Sequence, residues 1–312
     1  MRKRLLAILG ALLVIVLYSL SCVLTKLALA GMRPLTLGAS INIVGWLGLS
    51  CYVFVIRRRK IPRHLDRGTW VRICAMGLGS FTVSRVFGTL ALERMEATSS
   101  AFLGSFTGVF TLIIGLFVMK EYPSLWQLIG TIVSIWGVYI FYPALPTRSE
   151  LVGVGMRVVG MVTTGSTNNI ARDVATSERI DTLMFSWLSM SIGVLPLPFI
   201  ALALEGVPVF TRTGIAVVLY AGLLSTAFGL TLWNFVLKDL QAFEASLIGN
   251  TSVVFTGLLG WGILGEELPA RRLAAIAVVL IGTGLIQIRS RGLLPGVLGR
   301  ARSGGRREVV GE

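Results

Sequence analysis

The sequence has few charged residues: they make up 14% of its 312 residues, whereas a soluble domain carries about a quarter. Hydrophobic residues make up 54%, and the mean hydropathy is +0.80. The three cysteines, Cys22, Cys51 and Cys74, all fall inside apolar stretches, so packing is expected of them and no disulfide framework is implied. This composition argues against a water-soluble fold.

Acidic residues are also absent from the middle of the apolar segments, where a buried carboxylate could bind a proton or a cation. All fifteen lie at the ends of apolar segments, in loops or in the C-terminal tail, and none reaches the middle of a segment. The single histidine, His64, lies in a basic loop and cannot form a proton relay within a membrane. An enzyme would need a nucleophile with a base, or paired metal ligands, at one depth. We therefore expect no catalytic residue, no metal ligand and no cofactor.

What the sequence does contain is a series of apolar stretches of about 20 residues, each long enough to cross a hydrocarbon layer of about 30 Å as a helix. A membrane strand would instead show about 10 residues of alternating polarity. The pattern predicts an all-α polytopic membrane protein with ten transmembrane helices. The predicted spans are Leu5–Ala28, Leu35–Val55, Trp70–Leu90, Thr98–Met119, Leu125–Phe141, Leu151–Ala171, Leu183–Leu202, Thr213–Phe235, Ala245–Leu264 and Leu273–Ile288.

The net charge of +14 is explained by topology. If the N-terminus is cytoplasmic, nineteen Lys and Arg residues lie inside and six outside, which follows the positive-inside rule and places both termini in the cytoplasm. Four basic residues remain within the spans: Lys26, Arg72, Arg85 and Arg157. No nucleic-acid partner is expected, because the basic residues do not form a surface on a soluble domain.

The second half of the chain echoes the first at an offset near 145 residues. Matching positions include polar residues and glycines as well as leucines, although chance similarity between apolar helices is the alternative. The matches are Val109-Phe110-Thr111 with Val254-Phe255-Thr256, Gly115 with Gly260, Glu121 with Glu266, Gly137 with Gly282, Ala97 with Ala242 and Ser80 with Ser225. At an offset of 146, Lys26 matches Arg172.

The repeat predicts two five-helix halves, residues 1–145 and 146–289, followed by a disordered basic cytoplasmic tail at 290–312. Because five is odd, the halves have opposite orientations, giving inverted-topology repeats around a central cavity. In many secondary transporters, rocking of such halves alternates access to a site near the midplane.

Two segments carry a resemblance to a known family. They are Ala97–Ile140, with Glu121-Tyr122-Pro123, and Ala242–Ile286, with Gly265-Glu266-Glu267; each has a helix rich in small residues, a short turn containing Glu, and a helix containing Gly. The chain resembles the EamA type of the drug/metabolite transporter superfamily. That resemblance implies a ten-helix carrier that exports or exchanges small metabolites, with bacterial relatives that include amino-acid exporters.

Arg85 is the most informative candidate for binding a substrate. It lies well inside its span, and its repeat partner is the apolar Leu230. One interpretation is a binding group for an anion or carboxylate, since the planar guanidinium can donate two parallel hydrogen bonds to a carboxylate. The other is a structural arginine that bonds helix carbonyls or snorkels to the outer face.

Other candidates interrupt the apolar spans with polar or aromatic side chains. Hydroxyls and amides could bind a polar ligand or a neighbouring helix. Tryptophans could stack on an aromatic substrate. The candidates are Tyr18, Ser21, Thr164, Asn168, Asn169, Asn234, Trp46, Trp187 and Trp233. Lys26 and Arg172 end equivalent helices and are gate candidates, with topology anchoring as the alternative.

Together these features predict a secondary transporter of the bacterial inner membrane, with amino acids, including aromatic ones, as the expected cargo. Facilitated diffusion or exchange is favoured over proton antiport through a buried carboxylate, although coupling through Glu96 or Glu244 stays open. A multidrug or lipid-like amphiphile exporter is the alternative. The expected partners are a small-molecule substrate and the lipid bilayer, and a monomer is expected, with a dimer as the alternative.

Overall fold

The computed structural model describes residues 2–62, 65–119, 124–142, 147–177, 180–236, 240 and 248–287. Within these residues all regular secondary structure is helical. We label the helices in chain order as α1 (Arg2–Ala28), α2 (Pro34–Ile56), α3 (Arg67–Arg94), α4 (Ala97–Gly104 and Thr107–Met119), α5 (Leu125–Phe141), α6 (Arg148–Ser177), α7 (Thr182–Val194 and Pro196–Glu205), α8 (Arg212–Leu219, Tyr220–Phe228 and Gly229–Val236), α9 (Ile248–Leu264) and α10 (Ala270–Gln287).

A helix coincides with each predicted span, although residues 245–247, residue 288 and the tail 290–312 lie outside the described residues. Six helices are long and apolar enough to cross a membrane: α1, α2, α3, α4, α7 and α8. α5 and α9 are shorter apolar helices. Large apolar side chains such as Phe199 and Tyr139 are more than 70% exposed, as expected of a surface that faces lipid. The chain is an all-α, multi-pass membrane protein.

Two helices change their winding midway. α3 contains a π-helical segment at Gly77–Val83, and α8 contains one at Tyr220–Phe228. A π segment widens the helix and commonly occurs at functional sites. Residues 77–83 and 220–228 overlap under the 145-residue offset, so both segments occupy matching positions of the repeat.

α4 is interrupted rather than wound differently. Its two parts are separated at Ser105 and Phe106, and the Ser105 hydroxyl donates to the carbonyl oxygen of Phe102 at 2.6 Å. α7 is divided at Leu195, directly before Pro196, because the proline has no backbone N–H to donate within the helix, although Leu195 keeps helical backbone angles. The predicted spans Thr98–Met119 and Leu183–Leu202 are therefore each two helical pieces.

α5 and α10 pack against each other closely enough to require glycine. A Cβ added at Gly282 would lie 2.7 Å from the carbonyl oxygen of Gly130, and one added at Gly137 would meet Val279. Because residues 130 and 137 of α5 lie beside residues 282 and 279 of α10, the two helices run antiparallel. Small residues at such a contact let helix backbones approach within a membrane.

Two carboxylates join the end of one helix to the start of another. Glu205, at the end of α7, accepts hydrogen bonds from the backbone N–H groups of Leu35 and Thr36 at the start of α2, at 2.7 and 2.8 Å. Glu266, directly after α9, accepts from the N–H groups of Ala97 and Thr98 at the start of α4, at 2.6 and 2.9 Å. A carboxylate is well placed there, since helix N-termini carry unpaired donors and a positive partial charge.

Candidate functional site

A cavity of about 380 Å³ lies among α1, α3, α4, α6 and α8. That volume is within the range of small-molecule binding sites, about 300 to 1,000 Å³. Hydroxyl-bearing side chains dominate its polar lining: Tyr18, Ser21, Thr25, Ser80, Ser84, Thr89, Ser100, Thr107, Thr164, Ser225 and Thr226. The π segments of α3 and α8 contribute Ser80 and Ser225 to this wall.

Arg85 of α3 is the first of two arginines in the lining. Its side chain leaves the helix beside Gly38 of α2, where an added Cβ would lie 3.5 Å from the Arg85 Cγ. Arg85 is partly buried, and its guanidinium donates no hydrogen bond to any residue that the structure describes. A guanidinium has five N–H donors, so those of Arg85 are available to an acceptor inside the cavity.

Arg157 of α6 is the second arginine, and it reaches across the cavity to other helices. Its Nε donates to the carbonyl oxygen of Ser100 on α4 at 3.1 Å. Its Nη1 passes over Gly88 of α3, 3.7 Å from an added Cβ, and its Nη2 lies against Gly104 of α4, where a Cβ would collide with it. Gly104 thus leaves the space that the guanidinium fills, whereas Gly88 only contacts it.

Neither arginine has a carboxylate partner among the described residues. The ion pairs there join Arg59 with Asp181, Arg94 with Glu93, and Arg272 with Glu96, all at helix ends. Among the described residues that line the cavity there is no Asp or Glu. Its described lining therefore carries two positive charges and no negative charge, which is an arrangement that attracts anions.

Hydrogen bonds of hydroxyl groups connect two of the helices that form the cavity wall. The Ser80 hydroxyl lies 2.6 Å from that of Thr167, and the Ser84 hydroxyl lies 2.8 Å from that of Thr164. Ser84 also donates to the carbonyl oxygen of Gly160 at 2.9 Å. These contacts pack α3, which carries Arg85, against α6, which carries Arg157, in this conformation.

Four residues singled out from the sequence come together in this cavity: Tyr18, Ser21, Arg85 and Thr164. They come from α1, α3 and α6, so residues far apart in the chain meet at one site.

The two asparagines of α6 lie elsewhere. Asn169 is buried and donates from Nδ2 to the carbonyl oxygens of Thr111 and Gly165, at 3.1 and 3.2 Å, which joins α6 to α4. Asn168 is exposed on the outer side of α6. The side chain of Asn234 lies outside the described residues. Neither described asparagine lines the cavity.

The tryptophans pack between helices rather than into the cavity. The Trp46 indole N–H donates to the Ser191 hydroxyl at 2.8 Å, and that of Trp187 donates to the Ser50 hydroxyl at 2.9 Å, so both connect α2 with α7. Trp233 packs in an apolar cluster with residues of α1.

Lys26, at the end of α1, donates to the carbonyl oxygens of Leu92 and Glu93 at the end of α3, at 2.8 and 3.1 Å. It also lines a second, smaller cavity with Glu96 and Glu266. The side chain of Arg172 lies outside the described residues.

Arg157 is the main feature of the cavity that the sequence did not single out as a binding candidate. The sequence feature that made Arg85 a candidate, a charged residue within an apolar span, is present at Arg157 as well and could have identified it. The contributions of Thr25, Ser100 and Thr107 depend on how the helices pack, and hydropathy carries no information about that.

Comparison with known proteins identifies relatives along almost the whole chain. An uncharacterized transporter, YoaV, of Bacillus subtilis is 22% identical over 280 residues, which is 88% of this chain and 94% of that protein. A protein of Salmonella typhimurium described as a "probable amino-acid metabolite efflux pump" is 26% identical over 286 residues, covering 87% of this chain and 91% of that one.

The fold is also shared with a solved structure. One crystal structure covers 91% of this chain and 98% of its own, with a TM-score of 0.65 and 15% sequence identity. The EamA-like transporter family matches this sequence twice, over residues 5–142 and 151–288. These two matches take in nearly the whole chain, which therefore belongs to the EamA-like transporter family.

Proposed function

We propose that the protein is a secondary transporter that moves a small metabolite bearing an anionic group, such as a carboxylate, across the inner membrane by alternating access. In this proposal all ten helices cross the membrane, as two inverted halves, residues 1–145 and 146–289, with both termini in the cytoplasm. The two family matches, at 5–142 and 151–288, support that division. A transporter, rather than an enzyme, is also what family membership favours.

Three helix pairs support the inversion. Under the repeat, α2 corresponds to α7, α4 to α9 and α5 to α10. The contacts of Glu205 with Thr36 and of Glu266 with Thr98 bring the end of one helix in a pair to the start of the other. α5 and α10 run antiparallel through Gly130 and Gly282. Equivalent helices that run in opposite directions are what an inverted repeat requires.

The observation that carries the proposal is the Arg85 guanidinium, which lies in a cavity between the halves and donates to no described residue. α1, α3 and α4 of the first half and α6 and α8 of the second enclose that cavity, so rocking of one half against the other would open it to either side. A carboxylate or phosphate can accept two parallel hydrogen bonds from a guanidinium. Arg85 is accordingly the principal ligand of the cargo, with Tyr18, Ser21 and Thr164 nearby.

Amino acids, including aromatic ones, are the first cargo to test, because each carries a carboxylate that Arg85 can bind. The name of the Salmonella relative points the same way. The expected partners are this small molecule and the lipid bilayer. The working unit is a monomer, with a dimer as the alternative.

Exchange or facilitated diffusion fits the cavity better than proton antiport. Its lining, as far as the structure describes it, contains no carboxylate that could bind a proton. Two uncompensated positive charges also make the empty cavity costly to enclose in a low-dielectric membrane, whereas an anion offsets that cost. The carrier is therefore expected to reorient across the membrane more readily when it holds cargo than when it is empty.

Export of a drug or lipid-like amphiphile is the second candidate, and an apolar groove between α2 and α8 favours it. The groove holds about 370 Å³ and is lined by Tyr52, Leu223, Phe228 and Phe235, among others. Several of these side chains are exposed on the surface that would face lipid. A lateral opening of this kind would admit an amphiphile from the bilayer.

Transport in liposomes separates the two candidates. Purified protein would be reconstituted and tested with amino acids, nucleosides, sugars, small organic anions and cationic drugs, with and without a pH gradient. The proposal predicts uptake of anionic or carboxylate-bearing compounds that persists when the pH gradient is removed. Uptake of cationic amphiphiles alone, or strict dependence on the gradient, would contradict it.

A further inference from the structure

We infer that the cargo carries two anionic groups, one held by Arg85 and the other by Arg157. The inference rests on the proposed function and narrows its substrate class. It assigns to Arg157, which the sequence did not single out as a binding candidate, a direct role in binding and in selecting the cargo.

The number of unused donors is the first support. Arg157 uses only its Nε in a hydrogen bond to the protein, at Ser100, and Arg85 uses none of its five N–H groups within the described part of the chain. Both line the same cavity, and none of its described lining residues is acidic. A single carboxylate would leave one guanidinium enclosed without a counter-charge, and such a charge is costly inside a membrane protein.

The packing around the Arg157 guanidinium is the second support. A side chain at Gly104 on α4 would occupy the position of its guanidinium, and Gly88 on α3 lies in van der Waals range of Nη1. The break in α4 at residues 105–106 follows directly on Gly104. The guanidinium is thus held in place by packing on three helices and by the bond to Ser100, as expected of a preorganised ligand-binding group.

The position of the two cations is the third support. Gly88, over which Nη1 of Arg157 lies, is three residues after Arg85 on α3, which corresponds to about one helical turn. The Arg157 guanidinium therefore lies about one helical turn, along α3, from the residue whose side chain carries the other guanidinium. That arrangement suits a short molecule with an anionic group at each end.

The repeat supplies a fourth support, because neither arginine has a basic counterpart in the other half. The position matching Arg85 is Leu230, and the one matching Arg157, at the offset of 146 that applies to α1 and α6, is Ala11. A fold with two equivalent halves does not itself require these charges. Both lie in one cavity, at positions where the other half is apolar.

Binding is tested by thermal stabilisation of the purified full-length protein in detergent, using three pairs of probes. Each pair differs by one anionic group: succinate and succinamate, glutamate and glutamine, and 3-phosphoglycerate and glycerate. The first two pairs test a second carboxylate and the third tests a phosphate. Uptake of the same probes into liposomes is measured in parallel.

The variants are Arg157→Gln, Gly104→Ala and, as a matched control, Arg212→Gln. Gly104→Ala keeps both charges but places a methyl group where Nη2 of Arg157 lies. It therefore tests the position of the guanidinium if Arg157→Gln folds poorly. Arg212 is an exposed arginine at the start of α8, outside the cavity. It controls for the loss of a positive charge.

We expect the wild type to bind the doubly anionic member of at least one pair about ten- to a hundredfold more tightly than its partner. In Arg157→Gln and Gly104→Ala this ratio should fall towards one, and in Arg212→Gln it should not change. Equal binding of both members in the wild type, no binding of any probe, or a ratio that survives both cavity variants would overturn the inference. Selective binding without uptake would instead refute the proposed function while leaving the doubly anionic site intact.

Discussion

Arg157 and Ser100 are joined by a hydrogen bond from the Nε of the arginine to the backbone carbonyl oxygen of the serine, 3.1 Å long. The bond crosses from α6, in the second proposed half, to α4, in the first. Because Arg157 also faces the cavity, an anion bound there contacts a group that already connects the two halves. Cargo binding and the relative position of the halves are therefore expected to influence each other.

Exchange should be faster than net transport. Liposomes loaded with unlabelled cargo should take up labelled cargo several-fold faster than empty liposomes, because a loaded cavity can be occluded without two uncompensated positive charges. The measurement is the initial rate of labelled uptake with and without internal cargo. Equal rates would show that the empty carrier returns freely, and would refute the electrostatic reason given for exchange.

Glu266→Gln should destabilise the protein by about 1 to 3 kcal/mol, because the buried carboxylate accepts charge-assisted bonds from the N–H groups of Ala97 and Thr98. Its neighbour offers a matched control, since Glu267 is exposed. Thermal unfolding in detergent should show a lower midpoint for Glu266→Gln and little change for Glu267→Gln. Equal effects of the two changes would mean that the contact with α4 contributes nothing specific.

Gly282→Ala should separate α5 from α10. The added methyl group would lie 2.7 Å from the carbonyl oxygen of Gly130, so the helices must move apart, at a cost of about 1 to 3 kcal/mol. Gly262→Ala is the control, because nothing lies within 4 Å of a Cβ at that position. Thermal unfolding of both variants tests this; a normal midpoint for Gly282→Ala would show that the close contact is not needed.

Trp187→Phe should lower stability without changing which compounds are transported. The change removes the hydrogen bond to the Ser50 hydroxyl, worth about 1 kcal/mol, from a side chain that lies between α2 and α7. Competition by aromatic and aliphatic amino acids for uptake should rank them in the same order as in the wild type. A selective loss of aromatic competitors would restore the stacking role that the sequence suggested for Trp187.

The helices were predictable because a membrane imposes a simple rule: the backbone must satisfy its own hydrogen bonds over about 20 apolar residues. The internal details were not. The break after Gly104 and the π segments at Gly77–Val83 and Tyr220–Phe228 depend on contacts with other helices. Hydropathy along one segment does not record those contacts.

The candidate site was predictable only in part, for chemical reasons. A charge within a span is costly enough to mark Arg85, whereas an amide or hydroxyl can serve equally well between helices or towards a ligand. Asn169 and Tyr18 are both polar residues within apolar spans, so hydropathy does not distinguish them. In the structure Asn169 donates to Thr111 of α4, whereas Tyr18 lines the cavity. Glu266 was recognisable as part of a turn, but its partner, at the start of α4, lies 168 residues away.

The central claim is that Arg85 holds an anionic group of a transported molecule. Its most direct test is the concentration dependence of cargo uptake into liposomes that contain wild-type, Arg85→Ala or Arg212→Ala protein, at equal amounts of folded carrier. Arg85→Ala should raise the half-saturating cargo concentration about tenfold or more, through loss of a charge-assisted bond, while Arg212→Ala matches the wild type. Unchanged affinity in a folded Arg85→Ala carrier would contradict the account.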